Sequence, residues 1–291
     1  MRFDASRPAG RLADSLHVDL HSYARAVLTC RVLGPTEVDA GSHRVRLGAP
    51  LPRRLITALI AAEGRPMSEG AIADAVWGDD PPASPSVSLQ SYVSRLRGSL
   101  GPFRDALERV GDGYRLRAIA DTATFAAHVE RGRMLLGAYP AEAARAFDAA
   151  LRLWRGTPYA DLPATPLVAP ARARFEELHA VAVEEMLALR LAADDVPAAV
   201  ADLILSVRAQ PHRERRWELL ILGLHRSGRQ ADAVAALRRV RTLLADDLAV
   251  DPGPALQSLE RQLLAQDPPP SQAPTHAHHT ARIGRPGAGQ D

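Results

Sequence analysis

In the stretch SPSVSLQSYVSRLRGSLG, residues 84–101, serine recurs at 84, 86, 88, 91, 94 and 99, and arginines stand at 95 and 97. Hydroxyl and guanidinium groups in this density can do two kinds of chemistry. They can serve a reacting centre when a base, nucleophile or metal completes the set, or they can hydrogen-bond to phosphates and base edges without making any bond. The completing set is not found. Cys30 lies in an apolar-alternating run, where a buried small hydrophobe is the expected role rather than a nucleophile. The chain has no P-loop, no GxGxxG after a strand and no HExxH. A single cysteine allows neither an intrachain disulfide nor a cysteine cluster for zinc. His276, His278 and His279 stand in a tail rich in Pro and Gly and read as part of a flexible polar segment rather than a metal site. The expectation is therefore no enzyme, no cofactor and no metal, which leaves recognition.

The elements that would position these groups follow from periodicity. On a helical wheel Leu89, Val93, Leu96 and Leu100 form one stripe with Tyr92 at its edge, so that side is committed to a core. The opposite side carries Ser84, Val87, Ser88, Ser91, Ser94 and Arg95, with Gln90 and Arg97 on a flank. Ser84 is placed to cap the helix and Pro85 to occupy its first turn. Small hydroxyl residues let a helix come close to base edges or phosphates, and the arginines supply charge. A merely solvated helix face is the competing reading of the same stripe. After it, LERVGDGYRLRA predicts a hairpin turning at Asp112-Gly113. The hairpin presents Arg115 and Arg117 opposite Tyr114 and Leu116, a wing able to set arginine against a minor groove or its phosphates.

Upstream, LTCRVLG, PTEVDA and HRVRLG predict three short antiparallel strands. PRRLITALIAAEG predicts a helix burying Leu55, Ile56, Leu59 and Ile60. SEGAIADAVWG predicts a second, capped by Ser68 and burying Ile72, Val76 and Trp77. Strands, three helices and a hairpin make a winged helix-turn-helix of mixed α+β type over residues 28–118.

Residues 119–268 predict an all-α domain. VPAAVADLILSV and RQADAVAALRRV superpose with Ala199 on Ala233, Val200 on Val234 and Leu203 on Leu237, an offset of 34 that is the tetratricopeptide period. PAEAARAFDAAL has the same texture, with Ala143 and Phe147 in matching places. Trp154 is expected in a core. Arg213, Arg215 and Arg216 beside Glu214 and Glu218 read as a solvated, ion-paired helix start, with a partner contact as the alternative. Residues 1–27 form an irregular extension, and residues 269–291 have little to bury and read as disordered. The fold class is thus mainly α, a winged helix-turn-helix followed by a tetratricopeptide-like domain.

Composition sets the limits. The chain has 291 residues, 46% hydrophobic and 24% charged, which suits two globular domains. No apolar run approaches the roughly 18 residues of a membrane span, and the N-terminal arginines precede no apolar core, so a cytoplasmic location is expected with no membrane partner. All 36 basic residues are arginine and asparagine is absent, which removes one adenine reader and leaves glutamine and arginine for base contacts. Net charge is only +2. Residues 1–118 carry 16 arginines against 13 acids, and the rest of the chain is slightly acidic, so any nucleic-acid site depends on placement rather than bulk attraction.

Several segments together resemble one family. VLG with the strands after it, AVWGDDPPAS, LQSYVSRLRGSLG and GDGYRL resemble the winged-helix domain of the SARP family of antibiotic-regulatory activators. DTATFAAHVERGR, ALRLWRGTPYADL, QPHRERRWELLILGLHRSGRQADAV and DDLAVDPGPALQSLERQLLAQDP resemble its bacterial transcriptional activator domain. The resemblance covers about residues 28–268. It implies a pathway-specific activator for antibiotic biosynthesis that binds tandem promoter repeats in double-stranded DNA, self-associates on them and recruits RNA polymerase, in the cytoplasm and on the nucleoid. The family pattern is kept at Gln90, Arg95 and Arg97, whereas Ser86, Val87 and Ser88 stand where members usually carry an arginine and often asparagine or threonine. The candidate DNA-binding residues are Val87, Ser88, Gln90, Ser91, Ser94, Arg95, Arg97, Arg115 and Arg117. The rival reading is a tetratricopeptide-like adaptor whose winged helix holds no DNA.

Overall fold

The computed structural model describes residues 28–193 and 195–265. The expected extension over 1–27 and the tail over 269–291, with its three histidines, lie outside the described residues. The chain is mainly helical, with a small winged α+β region first and a run of helices after it.

The expected strands appear as β1 (Leu28–Arg31), β2 (Glu37–Ala40) and β3 (His43–Val45), and alternate residues turn Leu28, Cys30, Val38 and Val45 into the core. Helix α1 (Pro50–Ala61) buries Leu55, Ile56, Leu59 and Ile60. Strand β4 (Met67–Ser68) leads into α2 (Glu69–Trp77), where the Ser68 hydroxyl accepts from the Ala71 N–H at 3.2 Å, a working N-cap. Trp77 differs from expectation. It is only half-buried, because it ends α2 at the surface and leans on Tyr92 with ring centroids 6.4 Å apart. Helix α3 (Pro85–Leu100) follows, then a 3-10 turn over Gly101–Ala106, and strands β5 (Leu107–Val110) and β6 (Gly113–Leu116).

The hairpin corrects the predicted turn. Val110 pairs with Gly113, so the turn residues are Gly111 and Asp112, and Gly111 takes the positive φ of 61°. Gly113 serves a different need: β6 is the middle strand of the order β4-β6-β5, and a Cβ at Gly113 would lie 1.8 Å from the Met67 carbonyl oxygen.

Strand β7 (Ile119–Ala120) pairs in parallel with β1, Thr29 opposite Ile119, and completes a sheet of order β3-β2-β1-β7. The helices α4 (Asp121–Leu135), α5 (Pro140–Leu151) and α6 (Ala169–Ala192) come next. Residues 28–133, together with Glu142–Met186, make one compact unit, so the winged region and the first helices pack as one body. A seam of polar contacts explains this. The Asp121 carboxylate accepts from the N–H groups of Val32 and Leu33 at 2.8 and 3.3 Å. The N–H groups of Arg155 and Tyr159 donate to the carbonyls of Leu33 and Val32, and Asp161 accepts from the Thr36 N–H. Gly34 (φ 140°) lets the chains meet, since a Cβ there would lie 2.9 Å from the Arg155 Cβ. Beside the seam Trp154 stacks on His179 at 4.1 Å and touches Phe125, so it joins an aromatic cluster as expected, though half-buried.

The second unit takes Met134–Ala141 and the described residues from Leu187 to Ala265. Its helices α7 (Val196–Ala209), α8 (Glu214–Arg226), α9 (Gln230–Leu248) and α10 (Pro254–Ala265) pack in succession. The repeat positions hold: Ala199, Leu203, Ala233 and Leu237 are buried, the alanines letting helices approach. The arginine run at the start of α8 is not a solvated face. Arg216 is buried and donates to the Ser206 carbonyl, and the Glu214 carboxylate accepts from the Gly253 N–H at 2.7 Å ahead of α10. Arg215 with Glu218 keeps the expected i,i+3 pairing. The reason is that α8 lies between α7, α9 and α10, so polar groups entering it must find partners inside.

Candidate nucleic-acid interface

Helix α3 is held from below and bare above. Leu89, Val93, Leu96 and Leu100 are each buried, which fixes the helix by one face. Ser84 makes no side-chain cap bond; Pro85 starts the helix, and the Ser86 hydroxyl donates to the Glu69 carboxylate at the start of α2. Val87 is 67% exposed, an apolar side chain largely in water. Gln90, Ser91, Ser94 and Arg95 are exposed, and Ser88 is half-buried. These five residues and Val87 therefore lie together on one outward surface.

Arg95 and Arg97 are treated differently. The Arg95 Nη2 donates to the Ser91 hydroxyl at 3.0 Å, and its guanidinium lies 4.9 Å from the centre of the Tyr92 ring. This is a loose hold that orients the group and leaves its outer donors available. Arg97 instead gives Nε and Nη2 to the Leu107 carbonyl at 3.0 and 2.7 Å and reaches toward the Tyr114 ring. Its guanidinium fastens the end of α3 to the wing, so the structure does not bring it to the outward surface.

The wing arginines share one carboxylate. Glu108 Oε2 accepts from Arg115 Nε and Nη2 at 3.1 and 2.6 Å, and Glu108 Oε1 takes Arg117 Nε at 2.6 Å. Arg115 is half-buried and Arg117 exposed. The hydrogen bonds from Arg115 hold the Glu108 carboxyl below its ordinary 4.5, with both arginine charges adding to the effect. Two cations thus meet one anion, and the wing presents about one net positive charge. Arg109 completes the group, pairing with Glu69 at 3.4 Å and lying over Tyr114.

Sequence reasoning missed Glu108, Glu69 and Arg109. A signal for the first was present: a turn at either Gly111-Asp112 or Asp112-Gly113 sets Glu108 across from Arg115 or Arg117, so an acid opposite an arginine was readable in both registers. Nothing local announced Glu69, which meets Ser86 and Arg109 only because α2, α3 and the hairpin converge. Among the described residues no group of three or more metal-ligating side chains comes together, and no helix is long and apolar enough to cross a membrane. Burial, with the nearby charges of Asp121 and Asp39, pushes the Cys30 thiol up to about 12.

Residues 45–116 match the C-terminal domain of transcriptional regulatory proteins, and residues 120–264 match the bacterial transcriptional activator domain. The transcriptional regulator RedD of Streptomyces coelicolor is 34% identical over 274 residues, covering 90% of this chain and 78% of RedD. The chain belongs to the SARP family of transcriptional regulators. This SARP-family chain is also 37% identical over 242 residues to the regulatory protein AfsR of Streptomyces griseus, covering 81% of the chain but only 24% of AfsR. It therefore spans about a quarter of that longer relative. The solved structure of Mycobacterium tuberculosis EmbR in complex with a low-affinity phosphopeptide superposes with a TM-score of 0.76 at 34% identity, over 84% of this chain and 66% of that one. The two family matches divide near Ile119, while β7 and the Asp121 seam carry the packing across that point.

Proposed function

We propose that this SARP-family regulator is a sequence-specific activator that binds promoter DNA through α3 and the wing. The observation that carries the reading is the outward face of α3: Val87, Ser88, Gln90, Ser91, Ser94 and Arg95, set on a helix fixed by its opposite side and flanked by arginines on a hairpin. Arg95 and Gln90 contact base edges, Val87 meets a thymine methyl, and the serines approach phosphates. Arg115 and Arg117 take phosphates beside the helix. Arg97 acts one step back, by holding α3 against the wing.

In this reading residues 28–118 read the DNA, residues 119–268 recruit RNA polymerase, and two copies on tandem repeats touch each other. The protein works in the cytoplasm at the nucleoid, and its targets are secondary-metabolite genes. RedD and AfsR, which carry the same two regions as regulators, support the reading. Footprinting of the full chain on its genomic neighbourhood, with transcription by purified polymerase on the protected fragment, tests it. Protection weakened in Arg95→Ala, and transcription raised by the wild-type chain, are expected. A folded chain that protects no fragment would instead be the adaptor, with a winged helix that does not hold DNA.

A further inference from the structure

The second unit contains a cleft of about 370 Å³ that DNA binding does not use. Its floor is apolar, formed by Val207 of α7 and Trp217 and Leu220 of α8. The Trp217 indole N–H donates to the Pro211 carbonyl at 2.7 Å, so the ring is pinned in one orientation and the cleft is preformed. Arg208 of α7 and Arg239 of α9 line the cleft, and both are exposed.

The charge of the two arginines that line the cleft is not neutralised within the fold. Arg190, Arg215, Arg229 and Arg241 in the same unit each pair with a carboxylate. Arg208 and Arg239 have no such partner among the described residues. A preformed apolar floor with two unpaired guanidinium groups on the two helices that flank α8 is complementary to a segment that offers large apolar side chains and carboxylates together. Two charges on two helices suit carboxylates spaced along a chain better than a single small anion. The chain's own tail is a poor occupant, since residues 266–291 carry two acids against two arginines and three histidines.

We propose that this cleft is a docking site for a short acidic, apolar peptide segment of a partner protein. The apolar side chains enter over Trp217 and the carboxylates pair with Arg208 and Arg239. The site shares no residue with the proposed DNA surface. It adds to the activator reading a defined place and chemistry for a protein contact, and rests on that reading only for the contact's role in transcription.

A displayed library of random short peptides, selected on the immobilised full chain, tests the proposal. Enrichment of sequences combining Asp or Glu with Leu, Phe or Trp is expected. Selected peptides should bind Arg208→Glu/Arg239→Glu at least tenfold more weakly, and Arg208→Lys/Arg239→Lys within a few-fold of wild type. Promoter affinity in the same variants should be unchanged, and unchanged thermal melting shows that they fold. Enrichment of basic or purely apolar sequences, no enrichment, or equal binding by the charge-reversed variant would overturn it. If removal of residues 266–291 is needed before peptides bind, the tail is the occupant. If charge reversal instead abolishes self-association in sedimentation, the occupant is a second copy, and the proposal falls in both cases. Loss of promoter binding by the wild-type chain would refute the activator reading while leaving the peptide result standing.

Discussion

The outward surface of α3 and the wing differs from the seam around Asp121 in what its polar groups are for. At the seam the carboxylate of Asp121 is buried and spent on two backbone N–H groups, with Arg155, Tyr159 and Asp161 tying the same loop. Burial pushes the Asp121 carboxyl above its ordinary 3.8 against the pull of those N–H donors, the mark of a group held where water is scarce. On the outward surface Arg95 keeps one hydroxyl and one ring, and Arg117 shares a carboxylate while remaining two-thirds exposed. A buried polar group costs free energy if its partner is lost, whereas an exposed one can exchange its partner for a phosphate or base at little cost. The same residue types hold the fold in one place and stay available in the other.

The strongest challenge to this contrast is truncation. A fragment of residues 28–118 loses β7, Asp121 and the donors from Arg155 and Tyr159, and with them the five seam hydrogen bonds at about 0.5–1.5 kcal/mol each net, besides the apolar burial that the removed segments supply. That sum is comparable with the whole stability of a domain, about 5–15 kcal/mol. Thermal melting by circular dichroism should show no cooperative transition, or one far below that of residues 28–186. Equal melting of the two fragments would mean that the seam is incidental.

A single substitution asks the same question more narrowly. Asp121→Ala should cost about 2–4 kcal/mol in urea unfolding, from two buried N–H groups left without an acceptor. DNA affinity measured well below the transition should hardly change, since the residue touches no part of the outward surface described above.

The two arginines of α3 should then separate by assay. Arg97→Ala should lower stability by about 1–3 kcal/mol, because the Leu107 carbonyl loses two charge-assisted bonds. Arg95→Ala should leave stability within about 0.5 kcal/mol and weaken promoter binding by about 1–3 kcal/mol if it reads a base. A reversed outcome would exchange the roles assigned to them.

The smallest expected effect is on the wing. Glu108→Gln frees Arg115 and Arg117 from their shared anion, so DNA should bind a few-fold more tightly, and the plot of log affinity against log salt should steepen by about one. The wild type should approach the variant in acid. Because the Glu108 carboxyl is held below 4.5, its contribution to wing order is complete above that pH and is lost as pH falls through the lower folded value. Titrating the salt slope below pH 4.5 checks the sign.

Much of the fold was legible because it rests on periodicity. The stripe of Leu89, Val93, Leu96 and Leu100 told which side of α3 faces inward, and the 34-residue offset foretold that Ala199 and Leu203 of α7 and Ala233 and Leu237 of α9 are buried. Exposure of Val87, Gln90, Ser91, Ser94 and Arg95 followed from the same stripe by exclusion. Fates set by distant partners were not legible. The fixing of Arg97 to Leu107, the burial of Arg216 and the service of Glu214 to Gly253 depend on what each group meets, and sequence spacing carries no record of that.

By itself, then, the sequence determined the inward faces, the repeat period, the absence of lysine and asparagine as readers, and the outward serine and arginine stripe. These depend on residue types a few positions apart, where helix and strand geometry leaves little choice. Only the tertiary structure decided that the winged region and the first helices share one compact unit, that Glu108 holds both wing arginines, and that Arg208 and Arg239 stand unpaired beside a preformed cleft. Each of those depends on charged groups brought together from separate elements. A guanidinium's partner is set by which carboxylate or carbonyl lies within about 3 Å of it after folding, a distance that chain order does not encode.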